Sequence, residues 1–498
     1  MFNFSKLIFL LILSSFLLVN DESIEINNKQ NILFIGVDDL RPMLKSYGYD
    51  HMKTPNLDKL AMQGVQFNQA YSNIAVCGAS RASILTGIRG NNSRFYRYYS
   101  RADEDLPNAV TLAKLFKKNG YKTASLGKIY HNTRDNIDEW DVHKAFQNFR
   151  QYHNPKSKEL IKSRNERHPS NGNLKTPAYE YADVDDDAYN DGQLTNYAIK
   201  TLKEFKNSGE PFFLAVGYIS THLPFVQPAK YGELYTDEDI KLSELRTIPE
   251  NAPSRAAHQW SELRNGYLDI PEKGPVSLDT EKELIKSYYA SVSYMDSMVG
   301  KLIDSLDELG LRENTTIVFW SDHGFFLGEH GFWCKHHTFQ EAIHVPLIIS
   351  SPGMKINKKS DALVEYVDIY PTISELAGIK PPDYIHGKSF VDVLKNPNLE
   401  FKSEIYSRYQ FREVVQDKKY SYHEILFYPE TQKNKYGSKT HIPGTKIVVT
   451  QRMLFDMVND PKQSVDISDL PEHQKIVAEY SKKLKKMRDF SEKPIIIK

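Results

Sequence analysis

The sequence predicts an α/β fold, a doubly wound and mostly parallel sheet flanked by helices, followed by a smaller α+β unit of antiparallel sheet plus helix. Three observations predict it: apolar runs that stop at charged residues, helix-patterned stretches between those runs, and a change after residue 398 to short alternating runs such as KIVVTQRMLFDMV. The first apolar run, residues 32–37 in NILFIGVDDLRP, closes on Asp38, Asp39 and a proline. TPNLDKLAMQGVQFNQAY begins with Thr54 and Pro55 and spaces its apolar residues helically, as does NAVTLAKLFKKNGY, which stops at Gly120. KTASLGKIYH then reads as a strand that delivers Lys128 and His131 to its end, and PFFLAVGYISTHLPF does the same for His222. A long amphipathic helix, EKELIKSYYASVSYMDSMVGKLIDSLDELG, precedes the run at 316–320, which closes on Ser321, Asp322 and His323.

Length and composition set the outer bounds. A chain of 498 residues, 40% hydrophobic and 26% charged, builds a sizeable core and suits two units, here 28–397 and 398–498. Lysine plus arginine equals aspartate plus glutamate at 64 each, so no overall basic field exists to hold a nucleic acid. The start, MFNFSKLIFLLILSSFLLVNDES, places a lysine at position 6 before an apolar run at 7–19. That run is short for a bilayer span and fits a secretory signal over residues 1–20, so export to the periplasm or beyond is expected, without stable membrane insertion. No small-residue cleavage pattern closes it, which leaves an uncleaved anchor as the alternative. The two cysteines, Cys77 and Cys334, lie in no CxxC or zinc spacing, and read as one bridge or as two buried thiols.

Two strand ends that carry acids at one sheet edge would repel unless a cation sat between them, and mostly oxygen donors favour calcium or magnesium over zinc. Taken singly, either acidic pair also reads as a helix cap or a solvated turn. The acidic stretch ADVDDDAYNDG lacks glycine at the sixth loop position and glutamate at the twelfth, so it is read as a loop leading into a helix and not as an EF-hand. NNSRFYRYYSRA sets Arg94, Arg97 and Arg101 among aromatic residues, a pattern that suits either an anionic, stacked sugar or a half-buried helix. PEHQKIVAEYSKKLKKMRDF reads as an amphipathic surface helix with solvated lysines.

CGASR followed by ASILTG matches the signature of the sulfatase family: cysteine, any residue, proline or alanine, any residue, arginine. GVDDLRP, LGKIYH, SDHGFFLGEHGFW, CKHHTFQEAIHVPLII and LFDMVNDPKQSVDIS resemble the same family in the same order, so the likeness runs over residues 31–467 and is nearest to iduronate-2-sulfatase-like members. Ala79 stands where animal members carry proline, and the disulfide cysteines of the animal enzyme are absent. The resemblance implies an alkaline-phosphatase-like version of the sheet. It implies that a formylglycine-generating maturation enzyme converts Cys77 to 3-oxoalanine (formylglycine), whose hydrate is the nucleophile. It further implies one calcium ion held by Asp38, Asp39, Asp322 and His323 and touching residue 77; Arg81 orienting the nucleophile; Lys128 and Lys335 on sulfate oxygens; His222, helped by Lys335, protonating the leaving alcohol; and His131 accepting the proton of the second diol oxygen so that sulfate departs. Ser80, Ser83 and Thr86 are expected to serve maturation, capping or packing, and Cys334 to be a free buried thiol. The implied substrate is a sulfated saccharide, containing uronic acid or a related sugar, of algal or host origin. Two other readings remain: a phosphate or phosphonate monoester hydrolase of the same superfamily, and a catalytically inactive binder of sulfated glycan.

Overall fold

A computed structural model describes residues 29–146, 150–167, 175–433, 437, 439–442 and 444–497; the expected signal at 1–20 lies outside them. The central sheet is formed by β1 (Asn31–Val37), β2 (Val65–Phe67), β3 (Lys122–Gly127), β4 (Val142–Lys144), β5 (Phe212–Tyr218), β6 (Thr315–Ser321), β7 (Leu347–Ser350) and β8 (Lys358–Ser360). Their order is β8-β2-β7-β6-β1-β5-β3-β4. Only β7 runs against its neighbours; every other pairing in this sheet is parallel.

β1 lies inside this sheet and all seven of its residues are buried, which is why its sequence is an apolar run instead of an alternation. Leu33, Ile35 and Val37 pack on one face with α1 (Pro55–Met62), α4 (Asn190–Ser208) and α5 (Leu278–Glu308). Ile32 and Phe34 pack on the other face with α2 (Cys77–Thr86) and α3 (Leu112–Lys118). Helix starts follow the local chemistry: Pro55 opens α1, the Thr111 hydroxyl accepts from the Lys114 amide, and the Ser277 hydroxyl accepts from the Thr280 amide.

One expectation needs correction. The helical spacing from Thr54 onward ends at Met62, and the next residues form β2. At Gly64 a Cβ would stand 2.4 Å from the Ile349 carbonyl oxygen, so close backbone approach to β7 diverts the chain into the sheet.

After residue 398 the chain forms an antiparallel sheet of β9 (Ile405–Tyr409), β10 (Arg412–Gln416), β11 (Tyr420–Phe427) and β12 (Val448–Asp456), paired in that order. Val477, Tyr480 and Leu484 of α6 (Gln474–Glu492) cover one face against Val415, Tyr422 and Leu454, while Lys475, Lys482, Lys485 and Lys486 are exposed. The other face packs Val414, Ile425 and Phe455 against Tyr71, Ala75 and Phe339. The Arg408 amide donates to the Asn73 carbonyl at 3.0 Å, and the Ala75 amide to the Arg408 carbonyl at 3.4 Å, so this sheet is bonded to the segment that leads into Cys77. Among the described residues no helix is long and apolar enough to cross a membrane.

Candidate active site

β6, β1, β5 and β3 are consecutive and parallel, and their last residues are in register: Val37 beside Ser321 and Tyr218, Gly127 beside Gly217. The segments that leave them therefore emerge together at the carboxyl edge, where open α/β sheets bind ligands. They bring Asp38 and Asp39, Asp322 and His323, His222 and Lys128 to one place. Asp39 adopts a left-handed backbone (φ 60°), which aspartate tolerates better than most residues. Its amide donates to Asp322 Oδ1 at 3.1 Å and its carbonyl accepts from the Tyr288 hydroxyl at 3.0 Å, which holds the bend. Asp191, from the acidic stretch, accepts the amides of Ile219 and Ser220 and so fixes the approach to His222.

Cys77 is the first residue of α2, and all ten residues of that helix are buried. At Gly78 a Cβ would lie 1.7 Å from the Tyr98 carbonyl oxygen, so only glycine fits directly after the cysteine. The Ser80 hydroxyl donates to the Asp322 carbonyl, that of Ser83 to Ile88 and that of Thr86 to Ala82, so all three tie α2 to backbone.

Arg81, fully buried, donates from Nε to Asp322 Oδ2 at 2.9 Å and from Nη2 to Asp38 Oδ1 at 3.1 Å, while Nη1 donates to the carbonyls of Lys128 and Ile129. Lys128 pairs with Asp38. Lys335 Nζ lies 2.8 Å from Asp39 Oδ2 and 2.9 Å from Glu262 Oε1. His222 Nε2 lies 3.1 Å from the same Glu262 oxygen, and its Nδ1 donates to the Leu223 carbonyl. His323 Nδ1 faces the Gly324 carbonyl at 3.0 Å, which turns Nε2 toward Cys77 Sγ at 3.2 Å.

His131 stands apart from this bonded network: its ring is edge-on to Tyr98 at 5.7 Å, and its Nδ1 is buried without a partner. Glu262 was not anticipated from the sequence. It sits on a short helix, Ser261–Gly266, in a region with no motif, and no local signal marks it. Cys334 is a free, buried thiol, pushed well above its ordinary pKa by burial. The arginine segment is not a helix between residues 88 and 101. Arg94 is buried against backbone carbonyls and Arg101 pairs with Asp103 and Glu104.

The electrostatics fit a hard cation. Burial pushes Asp322 up to about 8 despite Arg81, with Asp38 adding to the rise, and burial also raises Asp39 against the pull of Lys335. Asp38 stays well below the usual carboxylate range, because Lys128 and Arg81 outweigh its burial. One donor atom each from Asp38, Asp39, Cys77 and His222 lies within 4.8 Å of the others, and the same holds for Cys77, Asp322 and His323. Acidic, histidine and cysteine side chains that share a buried space in this way could hold a divalent ion. Burial and Asp38 act to raise the Cys77 thiol, yet Lys335, Lys128 and His323 hold it well below its ordinary pKa.

A buried cysteine at a helix start, ringed by strand-end acids, histidines and lysines at the carboxyl edge of a doubly wound sheet, is an arrangement suited to hydrolysis of an anionic ester. The comparisons with known proteins agree. The sulfatase family matches residues 30–379, and the C-terminal region of N-sulphoglucosamine sulphohydrolase matches 328–490. The chain is 35% identical to iduronate 2-sulfatase of Homo sapiens over 428 residues, covering 78% of this chain and 75% of that protein. Among solved structures it resembles a phosphonate monoester hydrolase of Agrobacterium radiobacter (TM-score 0.71, 20% identity, 93% of this chain and 96% of that one). It also resembles a protein solved with its substrate D-glucosamine-2-N,6-O-disulfate (TM-score 0.70, 21% identity, 93% and 98%). The chain belongs to the sulfatase family and is a sulfuric ester hydrolase.

Proposed function

We propose that this enzyme removes sulfate from a glycosaminoglycan-like saccharide containing uronic acid or a related sugar, after a maturation enzyme has converted Cys77 to formylglycine. The observation that carries the reading is the position of Cys77: first residue of a buried helix, 3.2 Å from His323 and within Coulombic reach of Lys128 and Lys335. Once formed, the aldehyde hydrate supplies a nucleophile that can later expel sulfate. The substrate class is supported by the names of relatives that act on sulfated sugars.

Asp38, Asp39, Asp322 and His323, with residue 77, would hold calcium, which supplies a Lewis acid for the negative charge on the sulfuryl oxygens. Lys128, paired with Asp38, and Lys335, paired with Asp39, both act electrostatically on Cys77 and are assigned to the same oxygens. His222 is the proton donor to the departing alcohol. Burial and Lys335 act to lower its pKa, yet Asp39 and Asp38 raise it to about 10, so the ring stays protonated at neutral pH. Glu262 fixes His222 and Lys335 relative to each other through one carboxylate oxygen. His131 is assigned the second proton transfer on the resemblance alone. We also propose the division into a signal at 1–20, a catalytic unit at 28–397 and a carboxyl-terminal unit at 398–498, with export from the cytoplasm.

Matured protein is expected to release sulfate from 4-nitrophenyl sulfate much faster than it hydrolyses an aryl phosphate or phosphonate, and mass spectrometry of the Cys77 peptide to show aldehyde in place of thiol. Faster phosphonate turnover would move the assignment to the phosphonate hydrolases. Dialysis against EDTA is expected to abolish sulfate release, with calcium restoring it; restoration by zinc alone contradicts the proposed ion. Glu262→Gln keeps the shape and removes the charge, and is expected to lower kcat about tenfold or more. An unchanged kcat removes Glu262 from the mechanism.

A further inference from the structure

Of the three arginines in NNSRFYRYYSRA, Arg94 and Arg101 are consumed internally, but the Arg97 side chain forms an ion pair with no described residue. Its guanidinium lies 5.5 Å from the centroid of the Tyr96 ring, and its Nε is buried with no hydrogen-bond partner. It is close enough to Tyr409 to act on that phenol electrostatically. The Tyr409 ring is 5.1 Å from His336, and His336 Nε2 is 4.0 Å from Glu262, the carboxylate that holds Lys335 and His222. The next residue in the chain, Tyr98, presses its carbonyl on Gly78 beside Cys77, is 56% exposed, and sets its ring edge-on to His131. Tyr98 thus borders the helix start at Cys77, and with Arg97 it offers a cation that has no ion-pair partner among the described residues and an exposed tyrosine.

We propose that Arg97 and Tyr98 form a subsite for a second anionic group, a carboxylate or a sulfate, on the saccharide whose sulfate ester meets residue 77. The subsite rests on the saccharide reading above. A planar guanidinium grips either anion through paired donors, and a partly desolvated arginine without a counter-ion gains most from such a ligand. The Tyr98 face packs on the sugar ring and holds it while the anion is gripped.

The test uses matured full-length protein and two matched pairs of substrates. One pair is a sulfated uronate disaccharide and its methyl ester; the other is a doubly and a singly sulfated glucosamine. The wild type is expected to prefer the anionic member of at least one pair by about tenfold or more in kcat/KM, mainly through KM. The pair that shows it tells carboxylate from sulfate. Arg97→Ala is expected to bring that ratio close to one, and Arg97→Lys to restore part of it. No preference in either pair, or a preference that survives Arg97→Ala, overturns the subsite. Turnover of 4-nitrophenyl sulfate by the wild type reports separately on the sulfatase chemistry. If that turnover is absent, calorimetric titration of the same saccharides onto the unmatured Cys77 protein and its Arg97→Ala variant decides the subsite by the same ratio.

Discussion

Cys77→Ser is expected to fold and bind a sulfated saccharide, yet to lose turnover by roughly four orders of magnitude or more. A serine hydroxyl at this position meets the same ring of Lys128, Lys335 and His323 and is small enough for the space the thiol occupies. It has a single oxygen. If that oxygen takes the sulfuryl group, nothing remains on the same carbon to push it out, so the reaction stalls after one event. Intact-mass measurement after incubation with substrate is therefore expected to show either unmodified protein or a persistent sulfate adduct, with no continuing release of sulfate. Steady turnover at the wild-type rate by this variant would end the formylglycine assignment.

Arg81→Ala is expected to cost about 3–5 kcal/mol of stability, because it leaves Asp38 and Asp322 buried together without their shared counter-charge. The guanidinium also satisfies the carbonyls of Lys128 and Ile129, so its loss strands acceptors as well as charges. Arg81→Lys is not expected to recover the loss, since one ammonium cannot serve two carboxylates and two carbonyls in a fixed plane. The two acids are also proposed calcium ligands, and that coupling gives the experiment its edge. Thermal unfolding should show a larger destabilisation in EDTA than in calcium. Equal destabilisation in both would separate Arg81 from the ion site, and an unchanged midpoint would contradict the buried network altogether.

Much of this was readable in the sequence where chemistry and chain order coincide. The acids at 38, 39 and 322 follow short apolar runs that fit interior strands, and neighbouring parallel strands present their ends together. Cys77 and Arg81 lie within one helix, so their spacing survives folding unchanged. Legibility fails where the fold decides. The helical spacing after Thr54 is overridden by the approach of Gly64 to β7, an event nearly three hundred residues away in the chain. Glu262 has no pattern around it, and its importance comes only from meeting Lys335 and His222 in space. The three arginines look equivalent as text, and they differ because Ser491, Asp103 and Glu104 happen to face two of them and not the third.

The complete enclosure of the helix that starts at Cys77 bears on when the proposed maturation could take place. A modifying enzyme needs to seize the residues on either side of its target, and here those flanks are walled in, with the Tyr98 carbonyl against Gly78 and the carboxyl-terminal sheet bonded to residues 73–75. If Cys77 is matured as proposed, oxidation of its thiol has to precede closure of the domain, which gives each newly made copy one brief window in which to be armed. On that proposal, a copy that folds first would stay inert until it unfolds again.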